Sequence, residues 1–351
     1  MTLTLLRFGV DTLECTFTGT LEERVAADLL AAKQHAQDTD APVQVSVGDS
    51  VLAVLPKGHG FYPFVLSDQR MLLRVSPRIS GPPPCSARMR ATALAVQDVH
   101  TLYSDVCDSA ASLGFAFENT LSRIDLAADV QGWTPDDSQM RGLVCPATYR
   151  ARHEDGAGLT YQYGKGDIVL RVYNKTAEIA ANPKKRGYGV VWEGAPGYSP
   201  DLDVWRIEYQ VRGSALAEYG CRHVSAALDR LPELFGALML WGDLRVPASD
   251  TNRTRWARHP IYEQLDRLVM GESAPVPRVR SVSRLLSMEA AARRLPGLVA
   301  TYAAQLGTTD YWDALKCMST DAMVDMEQRE VSFEELVDQK KVKLLSGEGV
   351  F

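Results

Sequence analysis

Apolar and polar residues alternate in three short segments of the chain. They read Arg123-Ile-Asp125-Leu-Ala-Ala-Asp129, Leu170-Arg171-Val-Tyr173-Asn-Lys175 and Trp205-Arg206-Ile-Glu208-Tyr-Gln210-Val-Arg212. A period of two belongs to a β-strand with one buried face. Ile124, Leu126, Ala128, Leu170, Val172, Trp205, Ile207 and Val211 form one set. Arg123, Asp125, Asp129, Arg171, Tyr173, Lys175, Arg206 and Glu208 form the other. If the three strands share a sheet, the first set packs a core. The second set then gathers carboxylates, a tyrosine and cations on a wet face.

The pattern elsewhere fills in the frame. Residues 3–18 read as a strand. Thr20-Leu-Glu-Glu23 has the form of a capping box and opens a helix with Val25, Leu29 and Ala32 on one face. Residues 42–76 read as three strands, and Gly81-Pro-Pro-Pro84 as a loop. A long helix is expected over Ser86–Leu113, with Leu94, Val99, Leu102 and Val106 in the core. The second half repeats the scheme: a strand at 121–130, a turn at Trp133, strands at 159–163, 168–175 and 203–212, then helical segments over 214–240. The pattern is helical from about Trp256, broken at Pro275-Val-Pro277, and Asp321–Leu345 reads as an acidic helix or tail. The expected class is α+β: two antiparallel sheet-plus-helix units, open to being a duplicated unit, with a helical C-terminal region. Expected domains are 1–118, 119–250 and 251–351.

Composition adds limits. The 351 residues are 46% hydrophobic and 23% charged, ordinary for a globular chain. No apolar run reaches the roughly 18 residues of a membrane span, and the N-terminus lacks the form of a secretory signal. The six cysteines are scattered, with no Cys-x-x-Cys pair, which suits reduced thiols in a cytoplasm. The formal net charge of −6 argues against a nucleic-acid partner, but its distribution does not. Residues 150–186 hold eight Lys/Arg against four acids, and residues 253–294 hold nine Arg against four acids. Residues 321–351 are acidic.

The polar stripe suits two readings. Alternating Arg and Asp or Glu can be simple cross-strand ion pairs. It can also be a phosphodiester-cleaving site. Asp125 and Glu208 sit at matching depth, each two residues after an arginine, with Asp129 further along. Without a histidine pair, a metal here would be oxygen-bound, which points to Mg²⁺ or Mn²⁺. Tyr173 is the candidate nucleophile, its phenolate favoured by Arg171, Lys175 and the metal. Tyr161 and Tyr163 on the preceding strand are rivals. Arg123, Arg206, Lys165 and the Lys184-Lys185-Arg186 run are candidate DNA contacts. A binding protein that does not cut, and a metal nuclease using water, are the alternatives.

Thr160-Tyr-Gln-Tyr-Gly-Lys165 followed by Leu170-Arg-Val-Tyr-Asn-Lys-Thr-Ala-Glu178 resembles the signature of the Rep_trans replication initiation factors. The segments at 123–129 and 205–212 resemble the flanking motifs in the same order, and Val10-Asp-Thr-Leu13 a family opening. The resemblance covers about residues 5–245. It implies a site-specific nickase or relaxase that starts rolling-circle replication or transfer of a plasmid, phage or conjugative element. Tyr173 would form a 5′-phosphotyrosyl intermediate, and Asp125, Glu208 and Asp129 would fall on acidic metal positions. Origin DNA, single-stranded or in a hairpin, would be the substrate. A host helicase is the implied partner, and a homodimer is a further expectation. Unlike conjugative relatives, the chain shows no N-terminal helix-turn-helix.

Overall fold

Among the described residues, eleven antiparallel strands form one sheet. The computed structural model describes residues 2–78, 80–156, 158–182, 189–279 and 288–338. Residues 1–279 form one unit and 280–351 a second. The first part of the large unit runs β1 (Thr4–Gly19), α1 (Glu23–Thr39), β2 (Val43–Val47), β3 (Ser50–Val54), β4 (Phe64–Ser67), β5 (Met71–Val75), β6 (Cys85–Met89), α2 (Ala91–Leu94) and α3 (Val99–Ser112). It continues with β7 (Phe115–Gln131), α4 (Asp137–Met140), β8 (Leu143–Val144), β9 (Arg150–Asp155), β10 (Gly158–Tyr163), β11 (Ile168–Asn174), α5 (Lys175–Ala181), α6 (Val190–Glu193) and β12 (Trp205–Arg212). The unit closes with α7 (Gly213–Glu218), α8 (Val224–Leu228), α9 (Leu231–Trp241), β13 (Asp243–Leu244) and α10 (Pro260–Met270). The second unit holds α11 (Met288–Leu306) and α12 (Tyr311–Gln328).

The large sheet runs in the order β2-β3-β4-β5-β6-β1-β7-β12-β11-β10-β9, and its two halves follow one scheme. In each half the first strand lies innermost, its last strand lies beside it, and the others follow outward in reverse order. The two halves join through β1 and β7, of 16 and 17 residues, paired along most of their length. The apolar set of the alternating segments lies in the main core with residues from α1, α3, α7, α8, α9 and α10. A smaller cluster of Leu6, Ile179, Trp192 and Val204 joins β1 to α5 and α6.

Some expected elements differ. Residues 85–89 are strand, not the start of a long helix: Cys85, Ala87 and Met89 are buried, and β6 pairs with both β1 and β5. The helix proper starts at Val99, where Asp98 accepts a hydrogen bond from the Thr101 amide. Strands β4 and β5 part at a turn in which Asp68 accepts from the Arg70 and Met71 amides. The capping box does not form, since α1 starts at Glu23 without a side-chain cap. Beyond α12, the expected acidic helix lies partly outside the described residues. No helix among the described residues is long and apolar enough to cross a membrane.

Candidate functional site

The register of β7, β12 and β11 brings the polar set together. Tyr173 pairs with Arg206, and Arg171 with Glu208. Arg206 pairs in turn with Asp129, and Gln210 with Asp125. Side chains alternate across a strand, so these groups share one face while Ile124, Val172 and Ile207 share the other. A bulge in β1 adds a further acid. Val10 pairs with Leu126 and Thr12 with Asp125, which leaves Asp11 as the extra residue. Bulges re-aim side chains, and Asp11 binds the Arg206 guanidinium on the polar face.

This face is buried at its centre, contrary to the expected wet surface. Asp125 is 2% exposed, and Asp129 and Arg206 are fully buried. Arg206 makes two bonds to Asp129, of 2.6 and 2.8 Å, and the Trp192 indole donates to Asp129 at 2.9 Å. Burial raises the Asp11 carboxyl, but Arg206, Lys175 and Arg7 outweigh it and hold it below the ordinary range. Arg206, Asp129 and Asp11 thus form a buried ionic knot closed by α6. Such knots add little net stability when intact but are costly to break.

A second cluster surrounds Tyr173, which is half-buried. Its hydroxyl donates to Glu208 Oε2 at 2.9 Å, and Arg171 donates to Glu208 Oε1 at 3.2 Å. Burial first, and Glu208 next, push the Tyr173 phenol well above its ordinary value. The sequence-based expectation that Arg171 and Lys175 favour the phenolate is therefore reversed: Arg171 is spent on Glu208. The Lys175 ammonium lies 5.5 Å from the Tyr173 ring centre and pairs with Glu178 at 2.9 Å. Burial and the nearby Arg206 pull its pKa down.

Asp125 is gripped by Arg123 through bonds of 2.5 and 2.8 Å. Burial raises its carboxyl, with a further push from Glu208, and the net value is about 6 despite Arg123. Arg123 also lies 3.7 Å from Glu14. The carboxylates meant for a divalent ion are thus compensated by arginines. Both Asp129 oxygens are taken by Arg206, so this residue does not serve as the expected third ligand. Among the described residues no group of three or more His, Cys, Asp or Glu is placed to hold a metal. As arranged, the residues do not fit Mg²⁺ or Mn²⁺.

The remaining sequence candidates separate by position. Arg206 has no exposed surface to offer DNA, because its guanidinium is enclosed by Asp129 and Asp11. Arg123 is engaged with Asp125. Lys165 sits in the β10–β11 turn over the Tyr149 ring, on the order of 20 Å from Tyr173 at the usual rise per strand residue. Lys184, Lys185 and Arg186 lie outside the described residues. Tyr161 and Tyr163 pair with Val172 and Leu170, on the opposite face from Tyr173. Their hydroxyls donate to Asp137 at 2.7 Å and to the Met140 carbonyl at 2.9 Å. Sequence reasoning missed Asp11 and Trp192 as members of the cluster. Asp11 stood inside the Val10–Leu13 motif, but alternation does not reveal a bulge.

Fold and site together define an α+β protein with one large antiparallel sheet, a two-stranded β8–β13 sheet beside it in the fold, and a tyrosine–carboxylate–arginine cluster on the large sheet's face away from its main helical layer. No family model matches the sequence. Over 252 residues the chain is 24% identical to an uncharacterized protein, ORF430, of Pseudomonas phage Pf1. That match takes in 61% of this chain, and the chain spans only 55% of the relative's length. The structure of a rolling circle replication initiator protein from Geobacillus stearothermophilus is similar over 79% of this chain and 100% of that one, at 14% identity and a TM-score of 0.49.

Proposed function

We propose that the protein nicks single-stranded DNA at a specific site, using Tyr173 as nucleophile, and so starts rolling-circle replication or transfer. The observation that carries this is the 2.9 Å hydrogen bond from the Tyr173 hydroxyl to Glu208. A phenol held protonated needs a base at the moment of attack, and Glu208 is within reach to take its proton. The Tyr173 oxygen bonds to phosphorus, the bond to the 3′-oxygen breaks, and the departing oxygen takes a proton from water. The products are a 5′-phosphotyrosyl link and a 3′-hydroxyl that a polymerase can extend. Arg171 holds Glu208 in place, and Lys175 brings positive charge to the same end of the strand. The order of the three motifs, similar to Rep_trans initiators, supports the replication setting. Origin DNA is the substrate on this reading, and a helicase that unwinds from the nick is the partner the reaction would need.

Incubation with a random-sequence single-stranded oligonucleotide pool, resolved on a denaturing gel, tests it. A covalent adduct is expected, with mass spectrometry placing the nucleotide on Tyr173. Tyr173→Phe should lose adduct and nicking together. Glu208→Gln should slow adduct formation by about 10²–10⁴-fold, the usual worth of a general base. An active Tyr173→Phe protein refutes the assignment. Nicking without adduct points to water as nucleophile, and binding without either to a non-catalytic origin binder. A Mg²⁺ or Mn²⁺ ion at Asp125 and Glu208 would have to displace Arg123 and Arg171. Adduct yield in EDTA, compared with added Mg²⁺ or Mn²⁺, decides that question separately.

A further inference from the structure

At the outer edge of the sheet, on the face opposite Tyr173, a cleft of about 320 Å³ opens between β9, β10 and α4. Its floor is aromatic: Tyr161 and Tyr163 are both buried. Its rim is basic, with Arg141, Arg150 and Arg152 around a single acid, Asp137. Arg152 is already paired with Asp137 at 2.9 Å and with Glu154 at 2.7 Å. Arg141 and Arg150 form no salt bridge among the described residues, though Arg141 lies near enough to Asp137 to help lower its carboxyl, after Tyr161 and Arg152. Arg150 instead lies 5.6 Å over the Tyr163 ring. The guanidinium of Arg253, from the second basic segment, binds the Arg141 carbonyl at this rim.

We propose that this cleft is a second DNA contact and holds one nucleotide, its phosphate on Arg141 and Arg150 and its base against the Arg150–Tyr163 stack. It rests on the reading of the chain as a DNA-nicking protein. The chemistry supports a nucleotide in two ways. Free guanidinium groups recognise phosphate, and planar aromatic and guanidinium faces accept a base of any sequence. The Tyr161 hydroxyl is committed to Asp137, so the floor offers stacking with no phenol left for nucleophilic work. Strand β9 is the last of the sheet. A strand of DNA bound both here and at Tyr173 must therefore pass around that edge, which would hold it on both sides of the nick.

The test uses the full chain and a labelled oligothymidylate, followed by fluorescence anisotropy over a range of salt. Arg141 and Arg150 are exposed, so Arg141→Ala/Arg150→Ala should fold as the parent does, checked by its melting curve. The expected result is about tenfold weaker binding, with the slope of log affinity against log salt reduced by about 0.7 for the one lost phosphate contact. Thymidine monophosphate, titrated by calorimetry, separates the sources. No monophosphate binding, together with weaker oligonucleotide binding, assigns the cleft to a DNA strand. Monophosphate binding that the double variant loses, with oligonucleotide affinity unmoved, assigns it to a free nucleotide and overturns the strand contact. Unchanged binding of both overturns the site. Tyr173→Phe, measured beside it, keeps the two readings apart: an adduct persisting there refutes the nucleophile alone.

Discussion

At the scale of single residues, compensation governs the polar face. Asp125 has a carboxyl raised to about 6, chiefly by burial, against about 3.9 in an unfolded chain. The folded state therefore binds an extra proton between those values. That contribution to stability is fully present below about pH 4 and is lost as pH rises through about 6. Asp125→Asn removes the titration, so the melting temperature of the wild type should fall relative to the variant across that window. A constant difference between the two curves from pH 4 to 7 would show that Asp125 does not titrate there. Arg123 competes for the same carboxylate. Arg123→Ala should therefore bind Mn²⁺ more tightly than the wild type in calorimetry, and Arg123→Ala/Asp125→Asn should lose the gain. The alternation in sequence placed these side chains on one face correctly. It did not reveal that the face is buried, because the cover comes from Trp192 and Ile179, far along the chain, and from a bulge that leaves no trace in a period of two.

At the scale of elements, the buried knot ties three strands to a short helix: Asp11 on β1, Asp129 on β7, Arg206 on β12 and Trp192 on α6. Removing Asp129 leaves the buried Arg206 with Asp11 alone as counterion. Asp129→Ala should thus cost about 3–5 kcal/mol in urea unfolding, whereas the apolar replacement Asp129→Leu/Arg206→Met should recover more than half of that. A loss below about 1 kcal/mol for Asp129→Ala would mean that water reaches Arg206 and that the knot is open. Strands were legible in sequence wherever alternation was sustained, as in β7, β11 and β12. Strand β6 was not, because it is only five residues long and all but Arg88 are buried. A buried run of that length carries no period to separate strand from helix. The polar stripe itself was legible as a set, but its partner assignments were not: the choice of Arg171 for Glu208 and of Arg206 for Asp129 follows from strand register, which needs the neighbouring strand.

At the scale of the molecule, the repeated strand order shows two similar halves that share one sheet. Their seam is the β1–β7 pair, and it carries core on one side and the polar cluster on the other. Val10, Leu13, Cys15 and Phe17 of β1 are buried in the same core as Ile124, Leu126 and Ala128 of β7. A fragment of residues 119–250 would lose that core contribution and leave β7 as a long unpaired edge, the kind of edge that promotes aggregation. Residues 1–279 keep every strand found among the described residues, with helices α1 to α10. Expressed alone, residues 1–279 should unfold in one cooperative transition, with circular dichroism of a mixed α+β protein. Residues 119–250 should show no such transition and should associate. A cooperative, monomeric 119–250 fragment would mean that the second half supports its own core. In that case the Asp11–Arg206 contact would be dispensable to the Tyr173 cluster, and the fragment should still form the covalent adduct. If the seam is needed instead, adduct formation should survive in 1–279 and vanish in 119–250, even though Tyr173, Glu208 and Asp125 are all present in the shorter piece.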